Sequence, residues 1–193
     1  MIIGICGYSQ VGKDTLANEL VTRNGFQRIA FADAMRNILY ELNPLVTTEV
    51  VEIQDDNEVV LSDVFLQDLV DKFGWETTKV AYPEVRKLLQ RLGTEAGRKF
   101  IAENVWIRTV FDRQTNDNLV IPDVRFTNEA DEIKERGGVI VRIVRDGVEP
   151  VNNHLSEISY TDQDLTIPNN GTPEELHRNF RIALASFQQS QQP

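Results

Sequence analysis

The residues with the most chemical content are Gly7-Tyr-Ser-Gln-Val-Gly-Lys-Asp-Thr15. An apolar run, Met1-Ile-Ile-Gly-Ile-Cys6, precedes them, and Leu16, Leu20 and Val21 follow at helical spacing. Strand, glycine loop, lysine and helix, in that order, form the arrangement that cradles a nucleotide triphosphate. The loop's backbone N–H groups point inward at phosphate oxygens, and Lys13 reaches the β and γ phosphates. Gly7 and Gly12 permit positive φ and close approach. On this reading Gly7, Gln10, Val11, Gly12, Lys13, Asp14 and Thr15 make up the donor-nucleotide site. Asp14 stands where the usual pattern has Ser or Thr. The competing reading is a glycine turn before a helix whose first turn is capped by Asp14 and Thr15.

Phosphoryl transfer needs alignment and charge neutralisation more than covalent help from the protein. It therefore calls for a triphosphate loop, a Mg²⁺ ligand and arginines for the acceptor. Asp14 and Asp123 are the candidate metal ligands, since carboxylates suit this hard cation. Asp14 can equally serve as favourable first-turn charge on a helix. Asp33 follows Phe31-Ala32, where it can orient or deprotonate an acceptor, bind a sugar hydroxyl, or cap a helix. Arg36 lies one helical turn further on and can meet an acceptor phosphate or remain a solvated charge. Arg91 and Arg98 bracket Gly93 in Leu88-Leu-Gln-Arg-Leu-Gly-Thr-Glu-Ala-Gly-Arg98, and an arginine fork suits a phosphate dianion. Gln90 can read a base edge, and Trp106 can stack on a base or fill the core. Arg125 follows Asp123, with Glu129 one helical turn beyond and placed to pair with it. Arg142 and Arg145 flank the start of a long loop that holds His154, Ser156 and Glu157, and either can meet the transferring phosphoryl. Lys13, Asp33, Arg125 and Arg145 are the candidate catalytic groups. His154 and His177 have no metal-ligand spacing, and no Ser-His-Asp arrangement stands out.

The elements that must position these groups alternate strand and helix. Strands are expected at 1–6, 27–31, 118–123, 139–144 and 165–167. Helices are expected after the glycine loop, over 32–42, 83–92, 94–103, 105–114 and 128–136, and from 174 to about 187. This alternation implies a parallel sheet covered on both faces, with ligands at the strands' carboxyl ends. Residues 47–53 and 58–61 read as a hairpin. Ser62 or Asp63 is expected to cap a helix holding Val64, Phe65, Leu69 and Val70, ending near Gly74. The segment from about 44 to 92 interrupts the alternation as an inserted subdomain, and the loop over 145–160 reads as a lid. The 193 residues suffice for one sizeable core. The net charge of −10 argues against nonspecific binding to nucleic acid or anionic membrane. The single cysteine, Cys6, excludes an internal disulfide. No apolar run reaches membrane-spanning length, and the first run lacks a basic flank, so a soluble cytoplasmic protein is the expectation.

Taken together, the chain resembles the deoxynucleoside monophosphate kinase family of P-loop kinases, often encoded by tailed bacteriophages. The resemblance rests on Gly12-Lys-Asp-Thr15, Phe31-Ala-Asp33, Leu89-Gln-Arg-Leu-Gly-Thr-Glu95 with Arg98, Trp106, Asp123-Val-Arg-Phe-Thr-Asn-Glu129, Gly137-Gly138, His154-Leu-Ser-Glu157 and Asn169-Asn-Gly-Thr172. Gly-Lys-Asp-Thr is the family's own form of the loop, so Asp14 becomes a family mark. The resemblance implies an α/β three-layer P-loop kinase fold over 1–193, with an NMP-binding insertion at about 44–92 and a lid at about 145–160. It implies transfer of a phosphoryl group from ATP, with Mg²⁺, to a deoxynucleoside monophosphate. It also implies that Lys13 and the loop hold ATP, that Arg91 and Arg98 lie near the acceptor phosphate, and that the Asn169-Asn170 turn, with Asn170, sits near the ATP base. Expected partners are small-molecule nucleotides, with no nucleic acid and no membrane; a homodimer is one open arrangement. The compartment would be the host cytoplasm if the chain is phage-encoded. Two alternatives stay open: a related small-molecule kinase acting on dephospho-coenzyme A or phosphomevalonate, and a nucleotide-binding regulator without transfer.

Overall fold

The computed structural model describes residues 1–52, 59–112, 114, 116–149, 160 and 162–191. Most of the expected lid, with His154, Ser156 and Glu157, lies outside the described residues. The chain divides into two compact units, Met1–Phe31 with Asn104–Pro193, and Ala32–Glu103.

The first unit is built on a five-stranded parallel sheet ordered β2-β5-β1-β6-β7. Its strands are β1 (Ile2–Cys6), β2 (Gln27–Arg28), β5 (Leu119–Ile121), β6 (Val139–Val144) and β7 (Leu165–Pro168). The central β1 pairs with β5 from Ile2↔Leu119 to Gly4↔Ile121 and with β6 from Ile3↔Val139 to Cys6↔Arg142. A strand buried on both faces calls for a continuous apolar run, which β1, β5 and β6 supply. Alternate residues serve opposite faces. Ile3, Ile5, Val141 and Ile143 join Leu16, Leu20, Leu176 and Phe180 in one core cluster, placing α1 (Lys13–Asn24) and α7 (Pro173–Ser190) over that face. On the other face, Gly4 lies so close to Ile133 and Ile140 that a Cβ would stand 2.8 Å from each. Ile133 belongs to α6 (Thr127–Glu135), which covers that side. Helix α5 (Val105–Phe111) buries Trp106, Ile107, Val110 and Phe111.

The expected strand over 27–31 is shorter than its composition suggests. It pairs only at Gln27 and Arg28, although the Ile29 N–H still reaches Val120 O at 3.1 Å. Helix α2 (Phe31–Leu42) begins at Phe31, whose N–H is taken by Asp123 Oδ1 at 3.0 Å. That distant carboxylate satisfies a first-turn donor, so Asp33 stands in the helix's first turn and not at a strand end.

The second unit contains a two-stranded antiparallel sheet, β3 (Leu45–Glu52) and β4 (Val59–Phe65). The sequence places a helix at Val64 and Phe65, but β4 continues through Phe65 and α3 (Leu66–Ala81) starts later. Cross-strand pairing carries β4 on: Asp63 accepts from Thr48 Oγ1 at 2.9 Å. The capping role falls to Asn43, whose Oδ1 takes the Gln67 N–H at 2.9 Å. Nor does the helix end at Gly74, which kinks it (φ 74°, ψ 162°) before it resumes to Ala81. Helix α4 (Pro83–Gln90) runs straight into a π-helix, Arg91–Ile101. Gly93 therefore does not interrupt. It is buried against α2, where a Cβ would meet Met35 Sδ at 2.7 Å. Leu39, Leu66 and Val85 form this unit's own core, joined by Val46, Val70, Trp75 and Leu89.

Candidate active site

The glycine loop joins the end of β1 to the start of α1. Gly7 has φ 137° and Gly12, the helix N-cap, has φ 105°. Gly12 brings no capping side chain, and a helix start of this kind favours an anion. The Lys13 side chain folds back over the loop, and its Nζ donates to Gly7 O at 2.9 Å and Tyr8 O at 2.5 Å. Gln10 adopts φ 65°, and Val11 is buried beneath the loop at 1% exposure. Asp14 is exposed on the first turn, with Oδ1 3.9 Å from Arg28 Nη2, and Thr15 is also exposed.

Because the sheet is parallel, the residues after β1, β5, β6 and β7 share one edge. The loop, Asp123, Arg145 and Asn170 all lie there. The Val124 N–H donates to Ile5 O at 3.2 Å, which ties Asp123 beside the end of β1. Glu129 accepts the main-chain N–H groups of Arg125 at 2.8 Å and Phe126 at 3.1 Å, and it is 2% exposed. It thereby fixes the Asp123–Arg125 turn at the start of α6. Glu129→Ala leaves those two donors without this acceptor. It should lower stability by roughly 2–3 kcal/mol, measured by urea unfolding.

Asn170 is anchored on Asp146, in the turn after β6. Its Oδ1 accepts the Asp146 N–H at 2.9 Å, and its Nδ2 donates to Asp146 Oδ2 at 2.8 Å. Its neighbour Asn169, the other residue of the expected turn, is buried and donates from Nδ2 to Val11 O at 2.7 Å while its own N–H reaches Val144 O at 2.8 Å. A buried amide so placed braces the glycine loop from β7. Its only signal in the sequence is the Asn-Asn-Gly-Thr turn ahead of a helix capped by Thr172 and Glu175. Trp106 is 2% exposed, a core ring of α5, and Arg145 is exposed at the end of β6.

Asp33, Arg36, Gln90, Arg91 and Arg98 belong to the second unit. Arg91 is exposed at the head of the π-helix, and Arg98 Nη1 donates to Glu103 O at 2.8 Å. Arg36 Nη2 pairs with Glu76 Oε1 at 2.9 Å, and its guanidinium lies 5.9 Å from the Trp75 ring centre. Arg36 Nε and Gln90 Nε2 are both buried without a hydrogen-bond partner. Two buried donors lacking an acceptor on the elements expected to face a substrate are consistent with a ligand-completed surface.

A glycine loop closed by a lysine, at a strand-to-helix junction on the carboxyl edge of a parallel sheet, defines a P-loop phosphotransferase. The sequence pattern of the deoxynucleotide monophosphate kinase family matches residues 47–180. A relative from Acanthamoeba polyphaga mimivirus, provisionally named for the same activity, is 30% identical over 92% of this chain and 92% of its own length. The deoxynucleotide monophosphate kinase of Enterobacteria phage T4 is 29% identical over 52% of this chain, but over 45% of its own length. The solved shikimate kinase of Aquifex aeolicus aligns over 96% of this chain and 97% of its own, at 14% identity and a TM-score of 0.49. The chain belongs to the deoxynucleotide monophosphate kinase family. Among the described residues no helix is long and apolar enough to cross a membrane.

Proposed function

We propose that the chain transfers the γ-phosphoryl group of ATP to a deoxynucleoside monophosphate, giving the diphosphate. The observation that carries this reading is Lys13 folded over a glycine loop whose Gly7 and Gly12 take φ values of 137° and 105°. A loop of this kind fits a polyphosphate, with Gln10, Val11, Asp14 and Thr15 completing the donor side. Asp14 and Asp123 offer hard oxygen donors near the loop and would hold Mg²⁺, which, when bound, neutralises charge on the phosphates. Among the described residues no cluster of three or more His, Cys, Asp or Glu forms a protein-only metal cage; Mg²⁺ held mainly by substrate phosphates does not need one. Arg145 and Arg125, at the sheet edge, are assigned to the transferring group. Arg91, Arg98 and Asp33, with the insertion over about 44–92, are assigned to the acceptor.

The test is purified protein with ATP, Mg²⁺ and each of the four common dNMPs, followed by chromatography of the nucleotides. Diphosphate formed from at least one dNMP is expected. Turnover of dephospho-coenzyme A or phosphomevalonate alone would move the chain to another acceptor class, and ATP binding without any turnover would make it a regulator. Arg91→Ala should raise the dNMP KM about 10- to 100-fold, the effect of losing one charged hydrogen bond, and leave the ATP KM in place. A raised ATP KM with an unchanged dNMP KM would contradict the assignment.

A further inference from the structure

Two sheltered cations of the second unit converge on one oxygen. Arg36 Nη2 lies 2.9 Å from Glu76 Oε1, and Lys79 Nζ lies 2.8 Å from the same atom. The Arg36 and Lys79 side chains are 20% and 17% exposed, while that of Glu76 is 72% exposed. The kink at Gly74 produces this arrangement: beyond it, Trp75, Glu76 and Lys79 turn toward α2, and Trp75 flanks the Arg36 guanidinium at 5.9 Å. Arg36 Nε remains buried without a hydrogen-bond partner, so this guanidinium is not satisfied by Glu76 alone. Burial pushes the Lys79 ammonium below the ordinary lysine range. The charges of Arg36 and Arg86 push the same way, against the Glu76 bond.

A pair of cations sharing one carboxylate oxygen carries excess positive charge in a sheltered place, which costs free energy unless an anion arrives. The carboxylate reaches solvent and can swing out, whereas the cations are held by their surroundings. With Glu76 displaced, Arg36 and Lys79 lose the oxygen they share, and a phosphate dianion matches two positive charges and the unpartnered Arg36 Nε–H. We propose that Arg36 and Lys79 bind the phosphate dianion of the acceptor nucleotide and that Glu76 is its place-holder, competing with it for the same cations. This rests on the functional reading above and adds to it a ligand, Lys79, and a competitor, Glu76.

The competition gives variants of opposite sign. Titration calorimetry with each dNMP, with the matching deoxynucleoside, and with inorganic phosphate reads them out. Lys79→Met should weaken dNMP binding about 10- to 100-fold, leave deoxynucleoside binding and the ATP KM unchanged, and be largely rescued by Lys79→Arg. Glu76→Gln should tighten dNMP and phosphate binding several-fold. Lys87→Met, on the neighbouring helix and paired with the exposed Glu84, should change neither. Unchanged dNMP affinity in a folded Lys79→Met variant overturns the proposal. So does a Glu76→Gln variant that loses affinity, the result a purely structural ion pair would give; it decides the matter even if Lys79→Met fails to fold. Failure of the unaltered protein to bind any dNMP would instead overturn the functional reading itself.

Discussion

Lys13→Ala is expected to lower turnover with ATP by about 10³-fold or more, read as kcat/KM in a coupled assay for ADP release. The side chain serves two purposes. In the structure its ammonium spans the carbonyls of Gly7 and Tyr8, holding the loop's first turn closed over half-buried backbone. In the proposed reaction it supplies a positive charge where the β and γ phosphates develop negative charge, inside a site that excludes water. The first contribution is a pair of hydrogen bonds, worth about 1–3 kcal/mol each when made by a charged donor. Its loss appears as a lower unfolding midpoint. The second appears only in the transition state, so kcat falls with kcat/KM and stability does not track it. Lys13→Arg should restore little activity, because a planar fork does not replace a compact ammonium seated on two carbonyls. Near-normal turnover in a folded Lys13→Ala variant would refute the placement of the triphosphate.

The glycine loop and the helix start after it were legible because they are local. Loop, lysine and helix start lie within nine consecutive residues, and glycine at two positions is a requirement written directly in the chain. The sheet was legible for a related reason: β1, β5 and β6 are buried on both faces and must read as continuous apolar runs. What escaped depends on partners far away in sequence. The start of α2 is set by Asp123, which takes the Phe31 N–H across a separation of 92 residues. Asn169 braces Val11 across 158 residues, and nothing in Asn169-Asn170 says which of the two turns toward the loop. The pairing of Lys79 and Arg36 on Glu76 depends on a kink inside α3, at the glycine that the sequence marks as that helix's end. Arg91 and Arg98 were visible as a spaced pair of forks. Lys79 and Glu76 are three residues apart in the chain, a spacing that carries no comparable signal.

Gly7→Ala should be the most damaging single-methyl change in the loop, lowering stability by about 3 kcal/mol and the unfolding midpoint by roughly 10 °C. Two costs add. At φ 137° an L side chain is strained wherever it stands. The new Cβ would also lie 2.5 Å from the Ile143 carbonyl oxygen. That oxygen is main chain of β6, held between β1 and β7 in the middle of the sheet, so relief requires moving a strand or displacing the loop. Gly12→Ala meets a softer neighbour. Its Cβ would stand 2.4 Å from Asn169 Nδ2, a side-chain amide that can rotate away at the expense of its 2.7 Å bond to Val11 O. Gly12→Ala should therefore cost less than Gly7→Ala, and its cost should be coupled to Asn169. In a double-mutant cycle, Asn169→Ala removes the obstructing amide and the loop's brace together. The combined variant should then be less destabilised than the sum of the two single changes by about 1 kcal/mol. Strict additivity would mean that the strain at Gly12 is purely conformational and that Asn169 does not press on the loop. For Gly7→Ala no side-chain change can offer such relief, because the obstruction is the backbone of the sheet itself.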